Sequence, residues 1–339
     1  MKAIIYRDNG GPDVLQLVER DRPTPQPGEV RVRVAVSGVN PTDGQARSGL
    51  AHRKLFSEIT PHLDGAGVVD AVGDGVDPNR IGQRVWLLLA AAGRPTGTAA
   101  EFTVVPADQA VPLPDGAGFD VGASLGVPAL TAHRALTVTE DGPRRLHPGA
   151  LDGKVVLAAG GAGAVGHAVI QLARWAGATV IGTVSGPEKA KLATAAGAHH
   201  TVNYREENPA AAIRAITPDG VDIIAEVALG ANLALDLAVL RTRGTIATYA
   251  NEGGKTVELN VGQTMVLNTR LQFLVVYTAG PQVRAAAVED VAAAIHDSAL
   301  PVGAEHGLPL LRFPLDRTAD AHRAVESGAV GKVLVDITP

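Results

Sequence analysis

Gly160 to Gly166 read G-G-A-G-A-V-G, between an apolar run (Val155-Val156-Leu157-Ala158-Ala159) and an amphipathic stretch, 165–176. A strand, a glycine turn and a helix in that order are what a dinucleotide pyrophosphate requires. Gly161 permits the tight turn, Gly163 lets backbone approach the phosphates, and Gly166 lets the helix close on the strand. Ala164 and Val165 lie in the helix's first turn, where free N–H groups and the positive end of the helix dipole meet the phosphates. A lone G-x-G-x-x-G also occurs in ordinary turns. The buried strand before it and the helical spacing of Val165, Val169, Leu172 and Ala176 supply the context that a bland turn lacks.

The next strand, 179–184, selects between two dinucleotides. An NAD site places an acid near its end, about 20 residues past the glycines, for the adenosine ribose. Here the strand ends Ile181-Gly182-Thr183-Val184-Ser185-Gly186 without a carboxylate. Ser185 offers a hydroxyl and Lys189 an ammonium for a 2′-phosphate, so NADPH is the expected cofactor. Against this, Lys189 and Lys191 are also what a solvated helix face carries. Tyr204 and Arg205, after the third strand, flank the adenine on this reading; a strand-end tyrosine is the alternative.

These residues need a frame. The 339-residue chain exceeds one ordinary core, so two domains are expected. With 46% hydrophobic and 19% charged residues it is a folded chain, and a net charge of −5 gives no basic field for nucleic acid or anionic lipid. Small-molecule partners are expected instead. The absence of cysteine removes disulfides, thiolate nucleophiles and sulfur-ligated zinc. The N-terminal apolar run is too short for a signal peptide and 85–92 too short to span a bilayer, so a cytoplasmic protein is expected.

Residues 1–125 alternate short β-like runs (30–36, 67–72, 101–105) with Pro- and Gly-rich turns, as in a compact β domain. From about Gly126 apolar strands (154–159, 179–184, 199–203, 221–227, 244–250, 271–276) alternate with helices (164–176, 187–196, 209–216, 232–240). That is the rhythm of a doubly wound parallel sheet, placing a nucleotide domain at 126–279. Residues 280–339 hold a helix (281–296), a strand (308–313), a second helix and a last strand (332–337), expected to return to the first domain.

Several stretches together resemble one family: Ser37-Gly-Val-Asn40-Pro-Thr-Asp43, residues 65–76 (GAGVVDAVGDGV), Gly82-Gln-Arg-Val85, residues 100–107 (AEFTVVPA) and the glycine turn. They resemble the medium-chain dehydrogenase/reductase superfamily, in the zinc-independent quinone oxidoreductase branch that includes zeta-crystallin. The resemblance implies an α/β chain with a GroES-like β-rich domain, a Rossmann NADPH-binding domain and a cleft between them. Zinc-dependent relatives carry a cysteine where this chain has Asn40, a histidine at Leu63 and a further cysteine near Gly126; all three ligands are missing. Adjacent His199 and His200 diverge along a strand, and His62 with Asp64 is only a two-ligand pair. No metal is expected.

By resemblance, Asn40 and Asp43 are the catalytic candidates at the nicotinamide and substrate, with an Asn-Pro turn and a capping Asp as the alternative. The implied cofactor contacts are Asn40, Thr131, Gly161, Gly163, Ala164, Val165, Gly166, Gly182, Ser185, Lys189, Tyr204 and Asn232. Tyr249, Ala250, Asn251, Val275 and Tyr277 line the nicotinamide, and Lys332 reaches it from the returning tail. A family tyrosine over the cofactor has no counterpart at Leu50-Ala51-His52, where His52 is a substitute or a plain loop histidine.

The implied reaction passes a hydride from NADPH to a quinone, enone or enal. Hydride enters the carbon remote from the carbonyl, hydrogen-bond donors stabilise the enolate, and solvent delivers the proton. An enoyl-thioester reductase and a non-catalytic NADPH-binding, crystallin-like protein are the rivals. The resemblance also implies a homodimer through residues 271–276, a pairing that would cover a long apolar edge strand otherwise open to aggregation.

Overall fold

The computed structural model describes residues 1–50 and 54–337; His52 lies outside the described residues. Internal contacts divide the chain into two compact units, Met1–Val127 with Leu310–Pro339, and Pro128–Pro309. In the first unit β1 (Lys2–Ile5) pairs antiparallel with β2 (Gln16–Glu19). Strand β3 (Glu29–Val39) buries Val30, Val32, Val34 and Val36 and turns Arg31 and Arg33 outward, the period-2 alternation of a half-covered sheet. Arg31 there grips Asp70 with two bonds, 2.9 and 3.0 Å.

Helix α1 (Pro41–Ser48) starts directly after β3, with Pro41 in its first turn and Gly49 in the left-handed conformation ending it. Strand β4 (Asp64–Val72) begins three residues before the apolar run suggested, because Asp64 is buried yet fully bonded. β5 (Arg84–Leu87), β6 (Phe102–Pro106) and β7 (Ala110–Pro112) complete this part, and α2 (Phe119–Leu136) follows. The division between the units falls within α2.

In the second unit β8 (Val155–Ala158), α3 (Ala164–Trp175), β9 (Thr179–Val184), α4 (Pro187–Ala195), β10 (His200–Asn203), α5 (Pro209–Ile216), β11 (Val221–Glu226), α6 (Leu229–Val239), β12 (Leu240–Thr248), α7 (Val261–Val266) and β13 (Arg270–Phe273) follow in turn. The six strands form one parallel sheet in the order β10-β9-β8-β11-β12-β13. This is the doubly wound Rossmann order. Leu157, Ile181, Val202, Ile224 and Ile246 fill its core with Leu233 and Leu237 of α6. β13 is shorter than the predicted 271–276: Val276–Thr278 coil into a 3-10 turn.

Helix α8 (Pro281–His296) belongs to this unit rather than to the returning tail. Its buried Asp290 binds His133 at 2.7 Å, Arg145 at 2.7 Å and the N–H of Leu146 at 2.7 Å. The tail therefore turns back at Leu310, not at residue 280. β14 (Leu310–Pro314), α9 (Thr318–Glu326) and β15 (Lys332–Asp336) extend the first unit's sheet in the order β14-β15-β3-β4-β5-β7, with β6 on β3. No helix among the described residues is long and apolar enough to cross a membrane.

Candidate functional site

The glycine turn joins β8 to α3. Gly160 is left-handed at φ +66°, so the tight turn falls on Gly160 rather than on Gly161 as predicted. Gly161 instead packs closely: a Cβ there meets Ile170 at 3.2 Å and Gly182 at 3.4 Å. Gly163 caps α3 and is exposed. A Cβ on Gly166 comes within 2.4 Å of the Gly160 carbonyl oxygen, so only glycine lets α3 close on the strand. The first N–H groups of α3, from Ala164 and Val165, have no intrahelical acceptor and point along the positive end of its dipole.

The other predicted nucleotide residues of this unit gather at the same, C-terminal edge of the sheet, where open α/β sheets bind ligands. Gly182 lies within β9 and Ser185 just past its end; Lys189 occupies the first turn of α4. Lys191 pairs with Glu188 at 2.8 Å, whereas half-buried Lys189 has no ion pair among the described residues. Tyr204 follows β10, half-exposed, with its N–H on the carbonyl of Val184 at 3.1 Å. Asn232 sits in the first turn of α6, and its Nδ2 donates to Glu226 at 3.0 Å.

Tyr249, Ala250 and Asn251 follow β12, and Asn251 bridges to Ala228. Val275, exposed, and Tyr277 follow β13. Thr131 is placed differently, buried along α2.

In the first unit Asn40, Asp64 and Lys332 form a buried network. Asn40 Nδ2 donates to Asp64 Oδ2 at 2.7 Å, and Lys332 Nζ donates to Asn40 Oδ1 at 2.7 Å while standing 3.7 Å from Asp64. An ammonium cannot accept and a carboxylate cannot donate, which fixes the amide's orientation. Asp64 also receives the N–H of Val127 at 2.9 Å, and a Cβ on Gly126 falls 2.0 Å from its Oδ1.

Burial raises the Asp64 carboxyl against the pull of Lys332, and burial lowers the Lys332 ammonium against the pull of Asp64 and Asp43. Asp43 accepts the N–H of Asn40 at 2.8 Å; burial and the charge of Asp64 push it up to about 7.

Behind this network runs a directional chain. Thr98 donates to the carbonyl of Asp64, so Ser37, 2.7 Å away, donates to Thr98 and accepts from His62 Nδ1 at 2.8 Å. His62 Nε2 is then the acceptor for His322 Nε2–H at 2.9 Å. Both imidazoles are neutral: burial drives His62 well below its ordinary range and His322 to about 3. His62 holds φ at +81°, a left-handed non-glycine backbone that this bonding secures.

Two expectations change here. Asp43 spends its carboxylate on the helix cap, so its geometry is that of the capping alternative. Lys332 is 1% exposed with its ammonium committed to Asn40 and Asp64, not extended toward a cofactor. Sequence reasoning also passed over Asp64 as a partner of Asn40 and missed Glu226, Asp236 and His322. The available signal was an acid opening or closing an apolar strand run, as Asp64 and Glu226 do. No group of three or more His, Cys, Asp or Glu side chains among the described residues is arranged to hold a metal.

Two family models match the chain: an alcohol dehydrogenase GroES-like domain over residues 26–115 and a zinc-binding dehydrogenase over residues 164–293. A Rossmann sheet with a glycine turn, joined to a GroES-like unit, defines the class as a nucleotide-dependent dehydrogenase fold. The quinone oxidoreductase of Rattus norvegicus is 33% identical over 99% of this chain and 97% of its own length. A 2-haloacrylate reductase of a Burkholderia species is 31% identical over 95% and 94%. A mycobacterial protein solved in complex with NADPH superposes with a TM-score of 0.80 at 30% identity, covering 99% of both chains. The chain belongs to the medium-chain dehydrogenase/reductase superfamily, in its quinone oxidoreductase branch.

Proposed function

We propose that this chain is an NADPH-dependent oxidoreductase that reduces a quinone or an α,β-unsaturated carbonyl without zinc. The observation that carries the reading is the end of β9, where no carboxylate stands and Lys189, beside Ser185, has no ion pair among the described residues. The donor set fits the cofactor: exposed Gly163 leaves backbone N–H groups open to a pyrophosphate, and Lys189 supplies the cation for a third phosphate. Tyr204 flanks the adenine, while Asn251, Val275 and Tyr277 face the nicotinamide.

Once bound, NADPH supplies the hydride. The chain supplies position and a hydrogen-bond donor. Asn40 has one Nδ2 hydrogen on Asp64 and Lys332 on its oxygen; the second amide hydrogen of this 3% exposed residue is, on this reading, the donor for the oxyanion that develops on the acceptor carbonyl. Lys332 polarises that amide and makes it a better donor. The zinc-ligand positions support the metal-free reading through their chemistry: Asn40 and Leu63 replace thiolate and imidazole, and at Gly126 any side chain collides with Asp64. The names of the two sequence relatives, a quinone and a haloacrylate reductase, support an electron-poor conjugated acceptor.

The test mixes the protein with NADPH and a panel of 1,2-quinones, 1,4-quinones, short enones and an enoyl thioester, following nicotinamide absorbance. Turnover of quinones or enones, unchanged by a zinc chelator, is expected. Turnover of the thioester alone points to the acyl-chain rival. NADPH uptake with no turnover of any acceptor leaves a binding protein.

A further inference from the structure

Glu226 closes β11 and is fully buried. Its Oε1 accepts the N–H of Ala228 and, at 3.0 Å, Nδ2 of Asn232. Asp236 lies one turn beyond Asn232 on α6 and is buried as well. Glu226 Oε2 and Asp236 Oδ2 are both buried and have no hydrogen-bond donor among the described residues. Burial raises both carboxyl groups, and the charge of Glu226 raises Asp236 further. A carboxylate only accepts, so a proton kept on one of the pair is what relieves two orphaned acceptors left without a cation. No Lys, Arg or His among the described residues forms an ion pair with either group. Tyr249, whose hydroxyl feels the charge of Glu226, adds no positive charge. Arg214, on neighbouring α5, bonds instead to the carbonyls of Ala238 and Leu240.

We propose, building on the nucleotide site above, that Glu226 and Asp236 share one proton and act as positioning residues that lock Asn232 with its carbonyl oxygen turned outward to the ligand. Asp236 holds the proton and donates to Glu226 Oε2. Glu226 stays ionised and draws in the Asn232 amide nitrogen by a charge-assisted bond. Asn232 Oδ1, on a half-buried residue, then faces out as a fixed acceptor. An acceptor recognises a ribose hydroxyl and repels a phosphate oxygen, so Asn232 selects the sugar rather than the pyrophosphate. The orientation is set from below by a proton, not by a cation.

The test pairs infrared spectroscopy of the ligand-free protein with NADPH titration by nicotinamide fluorescence. Beside the contribution of Asp43, which is pushed up to about 7, wild type is expected to show a second protonated-carboxyl C=O band at neutral pH that shifts in heavy water and is lost in Asp236→Asn. The asparagine still donates to Glu226, so NADPH Kd stays within about threefold of wild type, whereas Asp236→Leu weakens binding about tenfold. Absence of the band in wild type, its persistence in Asp236→Asn, or wild-type affinity in Asp236→Leu overturns the proposal. The infrared comparison decides it even where Asp236→Leu does not fold. Wild-type protein with the band but no NADPH uptake overturns the nucleotide reading and supports the shared proton. Loss of the band with NADPH uptake intact does the reverse.

Discussion

Lys189 and His322 show how a single group's partners decide its use. Lys191, two residues along the same helix, is neutralised by Glu188, whereas Lys189 has no ion pair among the described residues. Lys189→Ala is therefore expected to raise the Kd for NADPH about tenfold and leave NADH binding unchanged, measured by fluorescence titration; equal losses for both nucleotides defeat the assignment. His322 is held neutral at about 3, while the unfolded chain titrates it near the ordinary histidine value. Below that value the unfolded state binds the extra proton, so stability is full above it and drains away as pH falls toward 3. From pH 7 to 5 this group alone costs about 2 kcal/mol. In His322→Gln the acid side of the Tm-versus-pH curve should flatten; a slope matching wild type contradicts the neutral pair.

At the scale of elements, the junction of β8 and α3 governs the nucleotide unit. Replacing glycine by alanine inside a helix normally stabilises by up to about 1 kcal/mol. At Gly166 the added Cβ meets backbone at 2.4 Å and cannot be relieved by a rotamer change. Gly166→Ala is thus expected to lose about 2 kcal/mol in urea unfolding and to weaken NADPH uptake; a stabilised variant refutes the close-approach argument. The strand–turn–helix order and the missing acid after β9 were legible from residue types, because glycine spacing and apolar runs are local properties. The placement of the tight turn at Gly160 was not, since a positive φ depends on where the chain must go next.

For the whole molecule, β13 forms the outer edge of its sheet and leaves Phe273 64% and Val275 49% exposed, with Met265 and Val266 of α7 exposed as well. An uncovered apolar edge of this kind pairs with a like edge across a two-fold axis. Light scattering after size exclusion is expected to return a dimer for wild type and a monomer for Phe273→Glu. A wild-type monomer at micromolar concentration removes the dimer from the reading. Chain connectivity acts at this scale too: β15 lies against β3 nearly 300 residues upstream, so the first unit's sheet closes only after the second unit has been traversed.

Periodicity, glycine spacing and the missing cysteines, all properties of neighbouring residues, were enough to define the two sheet types, the nucleotide turn and the family. Where buried charges settle is a property of space. Asn40, Asp64 and Lys332 are separated by up to 292 positions, and buried Glu226 and Asp236 belong to a strand and to the helix that follows it. Their partners, and hence which amide is locked, which lysine is spent and which acid keeps its proton, were decided only when folding removed water and left each group the donors within reach.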